Sequence, residues 1–162
     1  MSDPQTIVLG GGCFWCTEAV YKEVQGITDV ESGYSNGHAQ RPSYEQVCTG
    51  TTGHNEVVKL TYDPAQISTR QILEIFFVVH DPTQLNRQGP DRGDQYRSAV
   101  YYLDDAQKAT TEKLIQILKD KGLNVVTVVT KATKFYPAEK YHQQYYEKKG
   151  SQPYCHAYTK RF

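Results

Sequence analysis

Apolar residues recur along this chain with two different periods, and the switches between them mark its elements. The run Ile7-Val8-Leu9 reads as the middle of a strand over about residues 5–10. It empties through Gly10-Gly11-Gly12 into a segment after Cys13 that reads as helix to about Val24 and is stopped by Gly26. Residues 26–37 carry Ile27, Val30 and Tyr34 ahead of turn residues, a strand and its exit loop. The clearest strand is 54–62, ended by Asp63-Pro64. Alternation puts His54, Glu56, Val58, Leu60 and Tyr62 on one of its faces and Asn55, Val57, Lys59 and Thr61 on the other.

The period then lengthens. Ser68-Thr69-Arg70-Gln71 has capping-box spacing and opens a very apolar helix over 71–80, stopped by Asp81-Pro82. Residues 84–95 show no periodicity and read as a long loop, a length that in a compact domain is often functional. Residues 96–103 alternate as a strand with Ser98, Val100 and Tyr102 on one face. Asp104 can cap a helix that carries Leu114, Ile117 and Leu118 at core spacing and closes at Gly122. Residues 125–129 form a last β-branched strand, Pro137 starts a polar, tyrosine-rich helix to Lys149, and 150–162 read as an irregular tail. The order β-α-β-β-α-β-α-β-α, without repeat or linker, predicts one α+β domain over 1–162. Helices should pack on a mixed or antiparallel sheet, in a two-layer βαββαβ, ferredoxin-like plait.

Charge narrows the partners. With 18 basic and 18 acidic side chains in 162 residues, nothing favours nucleic acid or an anionic membrane surface. No apolar stretch reaches the roughly 18 residues of a membrane span. Residues 1–6 lack a basic and an apolar region of the signal-peptide kind, so a cytoplasmic protein is expected. In that reducing compartment the four cysteines, Cys13, Cys16, Cys48 and Cys155, are not expected to be structural disulfides.

Cys13 is the sharpest chemical signal. A strand that runs through glycines into a helix N-terminus presents unpaired N–H groups and a positive dipole end, which favour a thiolate. The bland alternative is a small hydrophobe beneath a helix. Beside it stand Phe14 and Trp15, the only tryptophan in the chain, and Cys16 completes a C-x-x-C. That pair reads as a redox couple, half a metal site, or chance. Zinc would want two more ligands, and only Cys155-His156 offers them, adjacent residues that rarely ligate one metal together, so no metal is expected. Cys155, on an irregular tail, suits a resolving thiol; Cys48 has no special neighbours and reads as core. Glu56 shares its face with Val58 and Leu60, where an acid is desolvated, stays protonated and can give a proton. An edge position paired with a surface cation is the competing reading of the same residue.

These motifs lie in a longer pattern: Gly12-Cys13-Phe14-Trp15, Ser32-Gly33-Tyr34, Tyr44-Glu45-Gln46-Val47, 53–58, His80-Asp81-Pro82-Thr83, Asp91 with 95–98, and 135–139 with 141–143. Over nearly its whole length the chain resembles the peptide methionine sulfoxide reductase A family. The resemblance implies a thiol-dependent reductase acting on the S epimer of methionine sulfoxide, free or within proteins, with no bound cofactor and an external dithiol such as thioredoxin as reductant. It implies Cys13 as nucleophile, Phe14 and Trp15 around the substrate methyl group, and Glu56 as proton donor. Tyr44 and Tyr96 would be further hydroxyl donors, with Asp91 in support. It also implies a C-terminal resolving cysteine, which fits Cys155. Cys16 stands where many members have glycine and some resolve, so both cysteines stay candidates. A monomer is expected. A thioredoxin-like exchanger using Cys13/Cys16 and a zinc or tyrosine-rich binding module are the alternative readings from the residues.

Overall fold

Ile7 and Leu9 are buried on one side of the sheet and Val8 on the other, which is why β1 (Gln5–Gly10) reads as an unbroken apolar run. The computed structural model describes residues 4–11, 14–37, 54–80, 82–83, 87–88, 91–92, 96–133 and 135–138. After β1 come α1 (Phe14–Lys22), β2 (Ile27–Ser35), β3 (Asn55–Tyr62) and α2 (Thr69–Val79). The two-residue strands β4 (Arg87–Gln88) and β5 (Asp91–Arg92) follow, then β6 (Ala99–Tyr102), α3 (Asp105–Asp120), β7 (Val128–Lys131) and β8 (Phe135–Pro137).

Six strands form one mixed sheet in the order β7-β6-β1-β3-β2-β8, while β4 and β5 pair apart from it. Every pair in the large sheet is antiparallel except β6 with β7. All three helices described cover the same face. Tyr21 of α1, Ile72, Leu73, Phe76 and Phe77 of α2, and Leu114 and Leu118 of α3 share one core with Ile7, Leu9, Tyr34, Val58, Leu60 and Val100. On the opposite face a smaller cluster joins Val8, Val57, Ala99 and Tyr101, with Ala132 and Phe135 against it. The architecture is α+β with helices on one side of a mixed sheet. None of the described helices is long and apolar enough to cross a membrane.

The local signals explain the helix ends. The Ser68 side chain accepts from the Gln71 N–H, and the Gln71 side chain accepts from the Ser68 N–H, so the capping box forms in full. Asp104 caps α3 in the same way, accepting from the Gln107 N–H at 2.8 Å. At the other end Gly122 takes a positive φ of 93°, and the bonds Gly122 N–H to Lys119 O and Leu123 N–H to Leu118 O make a Schellman closure.

Three expectations are corrected. Pro137 does not start a helix: it ends β8, an edge strand facing Gly33, where a residue without an N–H is tolerated; residues 139–149 lie outside the described ones. The strand expected at 125–129 begins later, at Val128, because Val126 spends its N–H on the Pro82 carbonyl rather than on a strand. The expected loop at 84–95 contains the short β4–β5 pair.

Tyr21 supplies a stability test. Its hydroxyl is buried and donates to the Ile72 carbonyl at 2.9 Å, tying α1 to α2. Burial holds its pKa well above the ordinary 10.0. The folded state therefore keeps the neutral phenol where the unfolded chain ionises, so this contribution is whole below about pH 10 and is lost as pH rises past it. Tyr21→Phe is expected to cost about 1–2 kcal/mol at neutral pH and to reduce the loss of stability between pH 9.5 and 11 (roughly, from the ordinary phenol pKa), as read from urea midpoints. An unchanged alkaline slope would refute the linkage.

Candidate active site

The sequence chemistry converges at one end of the sheet. Leu9 of β1 faces Val58 of β3 in the last pair of that ladder, so Glu56 lies two residues beyond it, at the end of the sheet where β1 finishes. Across β2 the partner of Glu56 is Tyr34, whose partner on β8 is Tyr136. Directly opposed residues share a face, and Tyr34 belongs to the helix-covered core. Glu56 therefore points to the helix side, as the alternation predicts, and it is only 1 % exposed. The edge reading of Glu56 is thereby excluded. Such burial disfavours the carboxylate and favours the acid.

Beside it, the chain leaves β1 through two positions that need glycine for close approach. A methyl group on Gly10 would overlap the Asn55 amide nitrogen, which donates to Arg97 O and to the Tyr101 hydroxyl, each at 3.1 Å. A methyl group on Gly11 would lie 3.0 Å from the Phe76 ring and 3.6 Å from that of His80. Helix α1 then begins at Phe14 with no acidic residue in its first turn, so no side chain of that turn offsets the positive end of its dipole.

Two buried polar groups here escaped the sequence reading. Glu18 of α1, 2 % exposed, accepts from the Ser32 hydroxyl at 2.6 Å, a length typical of a bond to a carboxylate. Its signal was its position three residues before buried Tyr21, on the core stripe of α1. His80, 3 % exposed, caps the C-terminal end of α2. Its Nδ1 contacts the Phe76 carbonyl and its Nε2 lies 2.7 Å from the Ser98 hydroxyl, which is 2.8 Å from that of Thr127. A carbonyl only accepts, so Nδ1 carries a proton. In the neutral ring Nε2 then accepts from Ser98, and Ser98 accepts from Thr127. The ring also packs on Phe76, centroids 4.0 Å apart.

His54 marks the flank. Its Nδ1 accepts from the Gly37 N–H at 3.0 Å, joining the two ends of the span 38–53, and its ring meets Tyr136 edge-on. Asn36, with a left-handed φ of 63°, donates from Nδ2 to Lys131 O and accepts at Oδ1 from the Thr133 N–H.

The expected site residues divide accordingly. Glu56 stands at the exit of β1; Phe14, Trp15 and Cys16 form the first turn of α1. The backbone of Asp91 pairs with Gln88 in the β4–β5 hairpin, and Tyr96 is half-buried ahead of β6. Cys13, Tyr44, Cys48 and Cys155 lie outside the described residues. Among the described residues no three His, Cys, Asp or Glu side chains gather as a metal site would need.

A buried acid near the end of β1, with Cys13 between Gly12 and the start of α1 in the sequence, fits a thiol-dependent oxidoreductase on an α+β frame. The comparisons give the family. Residues 5–162 match the peptide methionine sulfoxide reductase family. The peptide methionine sulfoxide reductase MsrA of Nautilia profundicola is 57 % identical over 148 residues, 91 % of this chain and 86 % of that protein. The crystal structure of Mxr1 from Saccharomyces cerevisiae in reduced form is similar with a TM-score of 0.91 at 36 % identity, covering 98 % of this chain and 96 % of that one. Mxr1 in complex with Trx2 is similar with a TM-score of 0.66 at 25 % identity, over 98 % and 94 % of the two chains. The chain belongs to the peptide methionine sulfoxide reductase family.

Proposed function

We propose that this chain reduces the S epimer of methionine sulfoxide, free or within proteins, with Cys13 as nucleophile and Glu56 as proton donor. The observation that carries the assignment of roles is Glu56, 1 % exposed on the helix side of β3, at the end of the sheet where β1 finishes. A sulfoxide sulfur is a poor electrophile until its oxygen is protonated, so the site must hold a thiolate and a neutral acid together. The start of α1 favours the first and burial favours the second.

The Cys13 thiolate attacks sulfur while Glu56 gives its proton to the oxygen. The S–O oxygen passes to Cys13 as sulfenic acid, methionine leaves, and the carboxylate recovers a proton from solvent. A second thiol condenses with the sulfenic acid, releasing water and leaving a disulfide, which an external dithiol reduces. Phe14 and Trp15 enclose the S-methyl group, and the Trp15 π face stabilises positive charge developing on sulfur. Tyr44 and Tyr96 add hydroxyl donors, with Asp91 in support. Cys155 is the first resolver and Cys16 the second candidate. The Mxr1–Trx2 complex supports a thioredoxin-type reductant. No bound cofactor is required; we assign the protein to the cytoplasm as a monomer of one catalytic domain. The order β6-β1-β3-β2, with α1 and α2 in its two crossovers, supports a ferredoxin-like plait at the centre of the sheet.

The test is one equivalent of racemic methionine sulfoxide added to the reduced protein without reductant, with epimers and free thiols counted. Only the S epimer should disappear, with two thiols lost per methionine formed. In Cys155→Ser that second thiol loss should fail, and in Cys16→Ser it should persist. Consumption of both epimers would overturn the substrate assignment, and disulfide loss in Cys16→Ser alone would reverse the resolver.

A further inference from the structure

His80 is a buried, doubly anchored imidazole that the reaction above does not use. Its Nδ1–H closes the last turn of α2 on the Phe76 carbonyl, and its Nε2 is held by Ser98 at 2.7 Å. Ser98 in turn is held by Thr127 at 2.8 Å and receives the Val128 N–H on its carbonyl, so the ring is fixed to the start of both β6 and β7. A helix end could be capped far more simply by glycine or a solvated carbonyl. What this ring does in addition is pack against Phe76 at 4.0 Å, and the edge of the Phe76 ring leaves no easy room for a side chain at Gly11. Gly11 is two residues before Cys13 in the chain. Its ideal methyl position lies 3.0 Å from Phe76 and 3.6 Å from His80, tighter than ordinary packing at the first contact.

We propose that His80 is a positioning residue for the exit of β1: anchored between Phe76 and Ser98, it holds the Phe76 ring against Gly11, from which the chain runs on to the nucleophile, Cys13. This rests on Cys13 being the nucleophile. The relay also tolerates a change of charge. If the imidazole gains a proton, Nε2 becomes a donor, and the Ser98 hydroxyl can rotate to accept from it and donate to Thr127. The ring thus keeps both anchors in either protonation state.

The test compares His80→Asn, whose amide nitrogen takes the place of Nδ1 but which lacks the ring, with Ser98→Ala, which keeps the ring and removes its outer anchor. Two measurements are made on the full chain: kcat and KM for the S-sulfoxide, and the pH dependence of Cys13 alkylation by iodoacetamide, followed on the Cys13 peptide by mass spectrometry. His80→Asn is expected to lower kcat by about 10- to 100-fold with KM within about two-fold, the cost of a misplaced reacting group. The midpoint of Cys13 alkylation should move by about half a pH unit or more as the thiol shifts in the field of the helix end. Ser98→Ala should move both in the same direction by less. A lower thermal midpoint with kcat and the alkylation profile unmoved would overturn the proposal, as would a rise in KM alone. Should His80→Asn fail to fold, Ser98→Ala decides by the same two criteria. The alkylation readout needs no sulfoxide turnover. Reduction that survives Cys13→Ser would therefore sink the functional assignment separately from the role of His80.

Discussion

Cys13→Ser is expected to lower the rate of S-sulfoxide reduction by at least about 10⁴-fold, the scale on which removing a covalent nucleophile acts. The chemistry leaves no substitute. A serine hydroxyl near neutral pH carries almost no anion, even at a helix start that favours one, and oxygen cannot accept the sulfoxide oxygen as sulfur does in forming a sulfenic acid. Cys16 and Cys155 are expected to resolve rather than attack, because only Cys13 follows the Gly10-Gly11-Gly12 exit and precedes Phe14 and Trp15. Initial rates with dithiothreitol as reductant measure the effect without needing a protein partner. A rate within ten-fold of the parent (roughly 1.4 kcal/mol in barrier) would remove Cys13 from the mechanism.

The second large effect belongs to Glu56. General acid catalysis is worth about 10²–10⁴-fold, so Glu56→Ala should lose that much, whereas Glu56→Gln should lose less, about 10- to 100-fold, because its amide N–H still donates to the sulfoxide oxygen. The pH profile separates proton transfer from hydrogen bonding. In the proposed mechanism the reactive form has Cys13 deprotonated and Glu56 protonated, so the rate is expected to rise with pH as Cys13 ionises and to fall again as Glu56 does. Glutamine has no proton to lose in this range. In Glu56→Gln the high-pH decline should vanish while the low-pH rise remains. If the decline persists, another group donates the proton; if Glu56→Gln reacts at the full rate, the site needs no acid at this position.

Much of this frame could be read from local pattern, and the exceptions share one cause. The capping box at Ser68, the N-cap at Asp104 and the stop at Gly122 follow from spacings of a few residues, and the structure places each as expected; alternation gives the face of Glu56, and burial decides between its two readings. What escaped depends on partners distant in the chain. His80 acquires its meaning from Ser98, 18 residues away, and Glu18 from Ser32, 14 residues away. In sequence they are only a polar helix end and a charged helix residue. Strand β8 departs from the expected helix for the same reason. Pro137 after two aromatics suits a helix start, and only the pairing of residues 135–137 with β2 makes the segment a strand. The delayed start of β7 likewise reflects a bond from Val126 to Pro82, invisible to any window of local composition.

The bond between the Gly37 N–H and His54 Nδ1 ties together the two residues that flank positions 38–53, the span of sequence that contains Tyr44 and Cys48. Because the sheet closes this span at its base, the length of the span is decoupled from the placement of Glu56 two residues beyond His54. Each doubling of a closed span adds only about 0.6 kcal/mol of closure entropy. Residues can thus be gained or lost between positions 38 and 53 while Glu56 keeps its place in β3.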